Sequence, residues 1–310
     1  MSLPADHLQY PRRRRGMDHD RYEWSMLPRR APVAWPGGAR LALCVVVPLE
    51  WFPLDMPATP FRAVGGMERA YPDYWNYTHR DYGNRVGVFR LMRVLDGLGI
   101  RATAPVNAAV CQRYPALVEA VASRGWEAVA HGVHMGKLHH PGLARDDEAA
   151  MVAEAVATVR RATGQPVRGW LSPAQVESPH TLDLVAAEGI EWVGDWVNDD
   201  MPYPLRTARG RLYSLPCAHE LSDTTIVWQF HHSSEEFAEQ IRDQFELLYR
   251  EAATAGGRIV AVTLHPWIVG QPHRVRAVQR ALEHVMRHAG VWPATGSEIV
   301  AAFAGSAAGA

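Results

Sequence analysis

The pattern of apolar and polar positions changes character at Leu41-Ala42-Leu43-Cys44-Val45-Val46-Val47, a short unbroken apolar run bounded by a turn signal at Pro36-Gly37-Gly38. A run of that length without alternation is what a strand buried on both faces shows, as in a parallel sheet covered by helices. Upstream, residues 1–38 are rich in Pro, Arg and aromatic side chains but hold no sustained period, so they read as an arm leading into a domain that spans 39–310.

Downstream, extended and helical periods alternate. Arg85 to Leu98 reads as a helix, Arg101 to Val106 as extended, Pro115 to Arg124 as a helix and Glu127 to Ala130 as extended. Asp146 to Thr163 reads as a long amphipathic helix, followed by an extended Val167 to Leu171, a helical Ser178 to Glu188 and an extended Glu191 to Val193. Ser234 to Ala253 is helical, Arg258 to Leu264 extended, and Val275 to His288 helical before a last extended segment at Val291. Such alternation defines an α/β protein with a parallel sheet, either an open doubly wound sheet or a closed barrel. There is no internal repeat and no interdomain linker, and the Ala/Gly tail from Ala304 is the one low-complexity tract. One domain behind an arm is the economical organisation.

Composition narrows the partners more than the fold. With 310 residues, 47% hydrophobic and 21% charged, the chain has ample material for a core. Its 32 Lys and Arg against 33 Asp and Glu leave a formal charge of −1, so no global field draws it to nucleic acid or an anionic membrane, and a small-molecule partner is expected. The basic cluster Arg12 to Arg15 is followed by Asp18, Asp20 and Glu23 and reads as a solvated arm. Cys44, Cys111 and Cys217 are too scattered for a zinc knuckle or redox motif and read as buried free thiols. No signal-peptide core follows the arginines and no stretch approaches the roughly 20 apolar residues of a membrane span, from which a cytoplasmic protein is expected.

The polar residues that stand out fall at the C-terminal ends of the expected strands: Glu50, His131, Ser172, Asp195 and His265. That edge carries the active site in barrels and open parallel sheets alike. Glu50, between Pro48-Leu49 and Trp51-Phe52, is a general-base candidate whose pKa burial would raise, or else a structural carboxylate paired with an arginine. Trp51 is either an apolar wall for a substrate ring or a core aromatic. The segment His131-Gly132-Val133-His134-Met135-Gly136-Lys137-Leu138-His139-His140 is the densest histidine cluster, suited to metal ligation or proton transfer, although polar loops also carry structural histidines. His265, with Pro266 stopping the strand behind it, suits a general acid or a structural role. Asp195, Asp199 and Asp200 are candidates to orient that imidazole, or to cap a turn.

Taken in order, these residues resemble the polysaccharide deacetylase superfamily over about Ala39 to Phe303. The nearest likeness is to its allantoinase-like branch, through Asp81-Tyr82-Gly83-Asn84-Arg85-Val86-Gly87, Ala130-His131-Gly132, Gly169-Trp170-Leu171-Ser172-Pro173, Asp195-Trp196 with Asp199-Asp200-Met201-Pro202, and Leu264-His265-Pro266 with Gly270-Gln271-Pro272. The resemblance implies a distorted (β/α)7 barrel. In metal-dependent members the first strand ends in two aspartates, a base and a ligand, and a second motif supplies two histidines four residues apart. Here those positions look like Glu50 and Trp51, then His131 and Met135, with His134 one residue out of register. An indole is no zinc ligand and a thioether a poor one, so the usual metal site is not expected and no cofactor is implied. A divalent metal such as zinc at a rebuilt site of Glu50 and His131 with His134, or with His139 or His140, is the less favoured arrangement.

The resemblance further suggests His265 as the catalytic acid, Asp195 as the carboxylate near it, and Arg168 as the arginine that steadies the base. The expected activity is hydrolysis of an amide, cyclic imide or ureide bond without a metal, with Glu50 as base, His265 as acid and His131 among the oxyanion donors. Trp51, His134, Trp170, Ser172 and Asp199 are the expected substrate-binding residues. Alternatives are a metal-dependent deacetylase of N-acetyl sugars, a catalytically silent binding module, and an ester or lactone hydrolase. Tyr71, Tyr74, Trp75 and Tyr77 are expected at the pocket, at a subunit contact or in the core. A homo-oligomer, up to a tetramer, is the expected assembly.

Overall fold

A computed structural model of the chain describes residues 19–56, 72–217 and 219–306. Arg12 to Arg15 and Tyr71, singled out above, lie outside the described residues. The strands are β1 Leu41–Val46, β2 Thr103–Val106, β3 Glu127–Ala130, β4 Gly169–Trp170, β5 Trp192–Val193, β6 Tyr203–Thr207, β7 Gly210–Ser214, β8 Arg258–Thr263 and β9 Val291–Pro293. The helices are α1 Tyr74–Tyr82, α2 Val88–Leu98, α3 Ala108–Arg113, α4 Pro115–Ser123, α5 Arg145–Thr163, α6 Thr181–Ala187, α7 Ser234–Ala255, α8 Val275–Met286 and α9 Gly296–Ala304.

Seven strands run parallel in the order β7-β5-β4-β3-β2-β1-β8, with β6 antiparallel on the outer edge of β7 and β9 inserted parallel to the start of β1. The sheet curls into a half-barrel. Among the described residues β8 has no ladder to β7, and its far side carries the single bridge Ser222 to Thr263. The choice that periodicity left open thus falls to the curled barrel form.

Alternation along β1 divides the core. Leu41, Leu43 and Val45 face the helices, where they pack with Leu91, Leu95, Ile241, Phe245 and Val278. Ala42, Cys44 and Val46 face inward, onto Trp192, Ile259 and Ala261 and onto a plug of Val33, Trp35, Ile299 and Phe303. Trp35, whose indole donates to the Arg258 carbonyl at 3.0 Å, shows that the end of the arm is part of the core. Arg21 is likewise buried, in a fork on Asp183 at 3.0 Å.

Helix ends follow their chemistry. Helix α5 opens with Asp146, Asp147 and Glu148 at its positive end, closes with Arg160 and Arg161, and stops at Gly164 in the left-handed region. Helices α7 and α9 start on capping boxes, Ser233 with Glu236 and Thr295 with Glu298. The periodic reading missed the hairpin of β6 and β7, the helices α1, α3 and α9, and the π-helical geometry of Gly83–Gly87 and Thr224–Gln229.

Candidate active site

Beyond β1 the chain stays paired to β2 through Val47 N to Thr103 O at 2.8 Å and Leu49 N to Pro105 O at 2.7 Å, which delivers Glu50 to the rim. Asn107, wholly buried after β2, accepts from the Trp51 amide at 2.8 Å and donates to the His131 carbonyl. One side chain thus ties the ends of β1 and β3 together. Asn84 donates to the Glu50 carbonyl at 2.8 Å from the Gly83–Gly87 segment. That segment abuts the loop after β8 so tightly that a Cβ on Gly87 would lie 2.0 Å from the Pro266 oxygen, and one on Gly83 2.8 Å from the Trp267 nitrogen. Its two glycines are what permit the approach.

The structure brings Glu50, His131 and His265 together. Glu50 Oε1 lies 3.6 Å from His131 Nε2 and 4.0 Å from His265 Nε2, too far for direct hydrogen bonds and near enough for one bridging atom. Each imidazole is held from behind. His131 Nδ1 donates to the Leu171 carbonyl at 2.6 Å, leaving its buried Nε2 unpartnered beside Glu50. His265 Nδ1 donates to Asp223 at 2.6 Å, and Asp223 also accepts from the His265 amide at 2.8 Å.

The charges are set by the neighbours. Burial pushes the Glu50 carboxyl up, but His131, His265 and Arg80 outweigh it and hold the group below its ordinary value. The expectation that burial would raise it is therefore corrected: three cationic or hydrogen-bonding groups were not visible from its flanks. Burial pulls the His265 imidazole down, while Asp223 and then Glu50 more than reverse this and raise it. Glu50 is accordingly ionised where His265 is protonated, an acid and a base separated by environment.

The other residues singled out lie elsewhere. Asp195 does not reach His265; it accepts from the Ser172 amide at 2.7 Å and from the Ser172 hydroxyl at 2.9 Å. Burial, followed by the neighbouring Glu177, raises Asp195 well above the usual carboxylate range. Trp170 and Ser172 are fully buried, with the indole donating to the serine hydroxyl at 2.8 Å, so neither presents a surface to a substrate. Asp199 pairs with Arg30 of the arm at 2.6 Å, and burial, followed by the charges of Asp199 and Glu251, raises the Asp200 carboxyl, with no histidine among the groups acting on it. Arg168 is half exposed and pairs with Glu191 at 3.5 Å; the arginine that acts on Glu50 is Arg80.

Trp51 remains at the rim, half-buried, with the Arg113 guanidinium stacked 4.0 Å from its ring centre and His134 against its edge. Burial, then Lys137 and Arg113, lower His134 to about 4, and its Nδ1 accepts from the Gly136 amide at 3.0 Å. It therefore faces Trp51 and its own loop. His139 is buried against Glu148 at 3.2 Å, and His140 accepts from the Gly142 amide at 3.1 Å. Tyr74 and Trp75 are exposed on α1 and Tyr77 is half-buried there.

The metal site of the metal-dependent proteins that the motifs resemble does not fit the residues present. Trp51 and Met135 offer no hard or nitrogen donor, the three remaining loop histidines are engaged away from Glu50, and among the described residues no group of three His, Cys, Asp or Glu side chains is arranged to hold an ion. Asp223 and Arg80 are the functional residues that sequence reasoning missed. Asp223 ends no apolar run, since it is placed by the lone bridge at Ser222 and opens a π-helical turn. Arg80 lies on α1, ahead of the first helix that the periodicity disclosed.

Comparison with known proteins supports the class that these motifs suggest. Residues 77–193 match the family model described as polysaccharide deacetylase. A Schizosaccharomyces pombe protein named "Putative polysaccharide deacetylase" is 24% identical over 241 residues, covering 72% of this chain and 74% of that one. A structure titled "probable Polysaccharide deacetylase" from Pseudomonas aeruginosa PAO1 superposes with a TM-score of 0.77 at 26% identity, covering 88% of this chain and 94% of that chain. The structure titled Puue Allantoinase gives a TM-score of 0.81 at 24% identity over 93% and 99% of the two chains. The resemblance to the polysaccharide deacetylases is thereby shown, and the fold is that of their curled α/β barrels.

Proposed function

We propose that the protein is a hydrolase of a non-peptide carbon–nitrogen bond in a small amide, cyclic imide or ureide, working without a metal. The observation that carries this reading is the convergence of an ionised Glu50 and an Asp223-anchored His265 on one rim, with heavy atoms 4.0 Å apart. Glu50 takes a proton from a water held beside the unpartnered His131 Nε2, and that water oxygen bonds to the substrate carbonyl carbon. The His265 Nε2 proton then passes to the nitrogen as the carbon–nitrogen bond breaks. Each proton transfer of this kind contributes about 10²- to 10⁴-fold. The replacement of the metal-ligand positions by Trp51 and Met135 supports a route in which charge on the oxygen is met by protein donors.

The test is a panel of hydantoins, cyclic imides, allantoin and N-acetyl sugars, assayed with and without chelator in wild type and Glu50→Gln. Turnover of a cyclic imide or ureide that survives chelation and is abolished in the folded Glu50→Gln protein is the expected result. Full activity in Glu50→Gln ends the proposal; loss of activity on chelation, regained with zinc, ends its metal-free form.

A further inference from the structure

Arg80 is 3% exposed, an unusual place for a guanidinium. It lies between two aromatic faces, 4.5 Å from the centre of Phe52 and 4.9 Å from that of Trp267. Those rings are not arbitrary neighbours. Phe52 follows Glu50 by two residues and Trp267 follows His265 by two, on the loops after β1 and β8. Arg80 itself comes from α1, where Asp73, Asn76 and Arg80 follow helical spacing: the Asp73 side chain caps Asn76, and the Asn76 amide oxygen accepts from Arg80 at 2.9 Å.

From this geometry we propose that Arg80 is a positioning residue, a planar cation clipped between Phe52 and Trp267 that holds the Glu50 loop and the His265 loop at a fixed separation. The inference rests on the acid and base roles given above. A guanidinium suits the task because both of its faces stack on rings while its edge donates in plane, whereas an ammonium is a point charge without faces. Its charge acts on both ends of the pair at once. It favours ionised Glu50 and disfavours protonated His265, so its removal must raise both groups. Among the described residues, the other charged groups that shift His265 are Asp223 and Glu50, and those that shift Glu50 are His131 and His265.

Two measurements on the full chain test the clip without needing turnover. In Arg80→Lys, which keeps the charge and loses the stacking faces, backbone amide exchange is expected to accelerate at 50–52 and at His265, Trp267 and Ile268 together, with Ser172, Ala174 and Gln175 unchanged. Acceleration in only one loop, or in neither, overturns the proposal. In Arg80→Met, the His265 ring resonance, assigned by its disappearance in His265→Asn, is expected to titrate at a higher pH than in wild type. An unmoved midpoint in folded Arg80→Met overturns it as well; if that variant does not fold, the exchange result for Arg80→Lys decides. Neither outcome depends on the Glu50→Gln assay, so failure of the clip and failure of the hydrolase reading are told apart.

Discussion

The pair formed by Glu50 and His265 is useful because each holds the other in its reactive form: an ionised carboxylate raises the imidazole, and the imidazolium keeps the carboxylate ionised. Asp223 biases this balance most, being first among the groups that raise His265 against burial. In Asp223→Asn the imidazole keeps a neighbour but loses the charge, and kcat is expected to fall about 10²- to 10⁴-fold with the fold intact by circular dichroism. Asp195→Asn, by contrast, should keep measurable turnover, because Asp195 bonds Ser172 and not His265; if Asp195→Asn is as inactive as Asp223→Asn, the assignment is wrong. The pH profile of kcat/KM should be a wide bell. Its acid limb, set by Glu50, falls below the ordinary carboxylate value, and its alkaline limb, set by His265, falls above the ordinary imidazole value. A limb near pH 7 on the acid side would contradict this order. At this scale the sequence exposed Glu50, His131 and His265 because each ends an apolar run at a sheet edge. It hid Asp223 and Arg80, which act from a bridge-anchored turn and a short helix with no such flag.

Elements explain why the motif Asp81 to Gly87 matters although it supplies no reacting group. The Gly83–Gly87 segment fills the space between α1 and α2 with π-helical turns, and its glycines let it touch the loop that carries His265. In Gly87→Ala the new methyl would meet backbone, 2.0 Å from the Pro266 oxygen, which cannot swing aside as a flexible side chain would. Overpacking of this kind costs typically about 1–3 kcal/mol, so the urea midpoint should drop with an unchanged slope, and turnover should drop with it as the His265 loop is displaced. Gly97 in α2 offers the internal comparison, since nothing lies within 4 Å of an added Cβ and its backbone is helical. Gly97→Ala should stabilise by about 0.5–1 kcal/mol without affecting turnover. Equal destabilisation by both alanines would refute the close-approach argument. The alternation of strands and helices was readable because buried parallel strands and amphipathic helices have distinct periods. The β6–β7 hairpin and the π-helical turns were not, since the hairpin mixes exposed and buried residues on two short edge strands and π-helical turns have no sequence period of their own.

Across the whole molecule, stability against pH is drawn by buried carboxylates that pull in opposite directions. In spite of burial, Glu50 is held below its ordinary value by the nearby imidazoles and Arg80, and Glu148 by hydrogen bonds from His139, Ser178 and Thr181, so what they contribute is present above the unfolded carboxylate pKa and lost as pH falls through the folded one. Asp195 and Glu177 behave oppositely. Burial raises both, and the approach of two acids raises Asp195 further, so between the ordinary carboxylate pKa and the raised one the folded state holds a proton that the unfolded chain has released. Stability from this pair is complete below the unfolded carboxylate pKa and declines as pH rises toward the raised folded value. Asp195→Asn mimics the protonated form: its amide oxygen can still accept from the Ser172 amide, and its NH2 can donate to Glu177. The urea midpoint of Asp195→Asn should therefore exceed that of wild type at pH 8, and the gap should shrink as the pH is lowered to 5. Because the pair lies beneath the rim, behind Ser172 and Trp170, this change in stability should leave the limbs of the activity profile in place. A gap that is the same at both pH values, or wider at pH 5, would mean that Asp195 is ionised in the folded protein and that its environment has been misjudged.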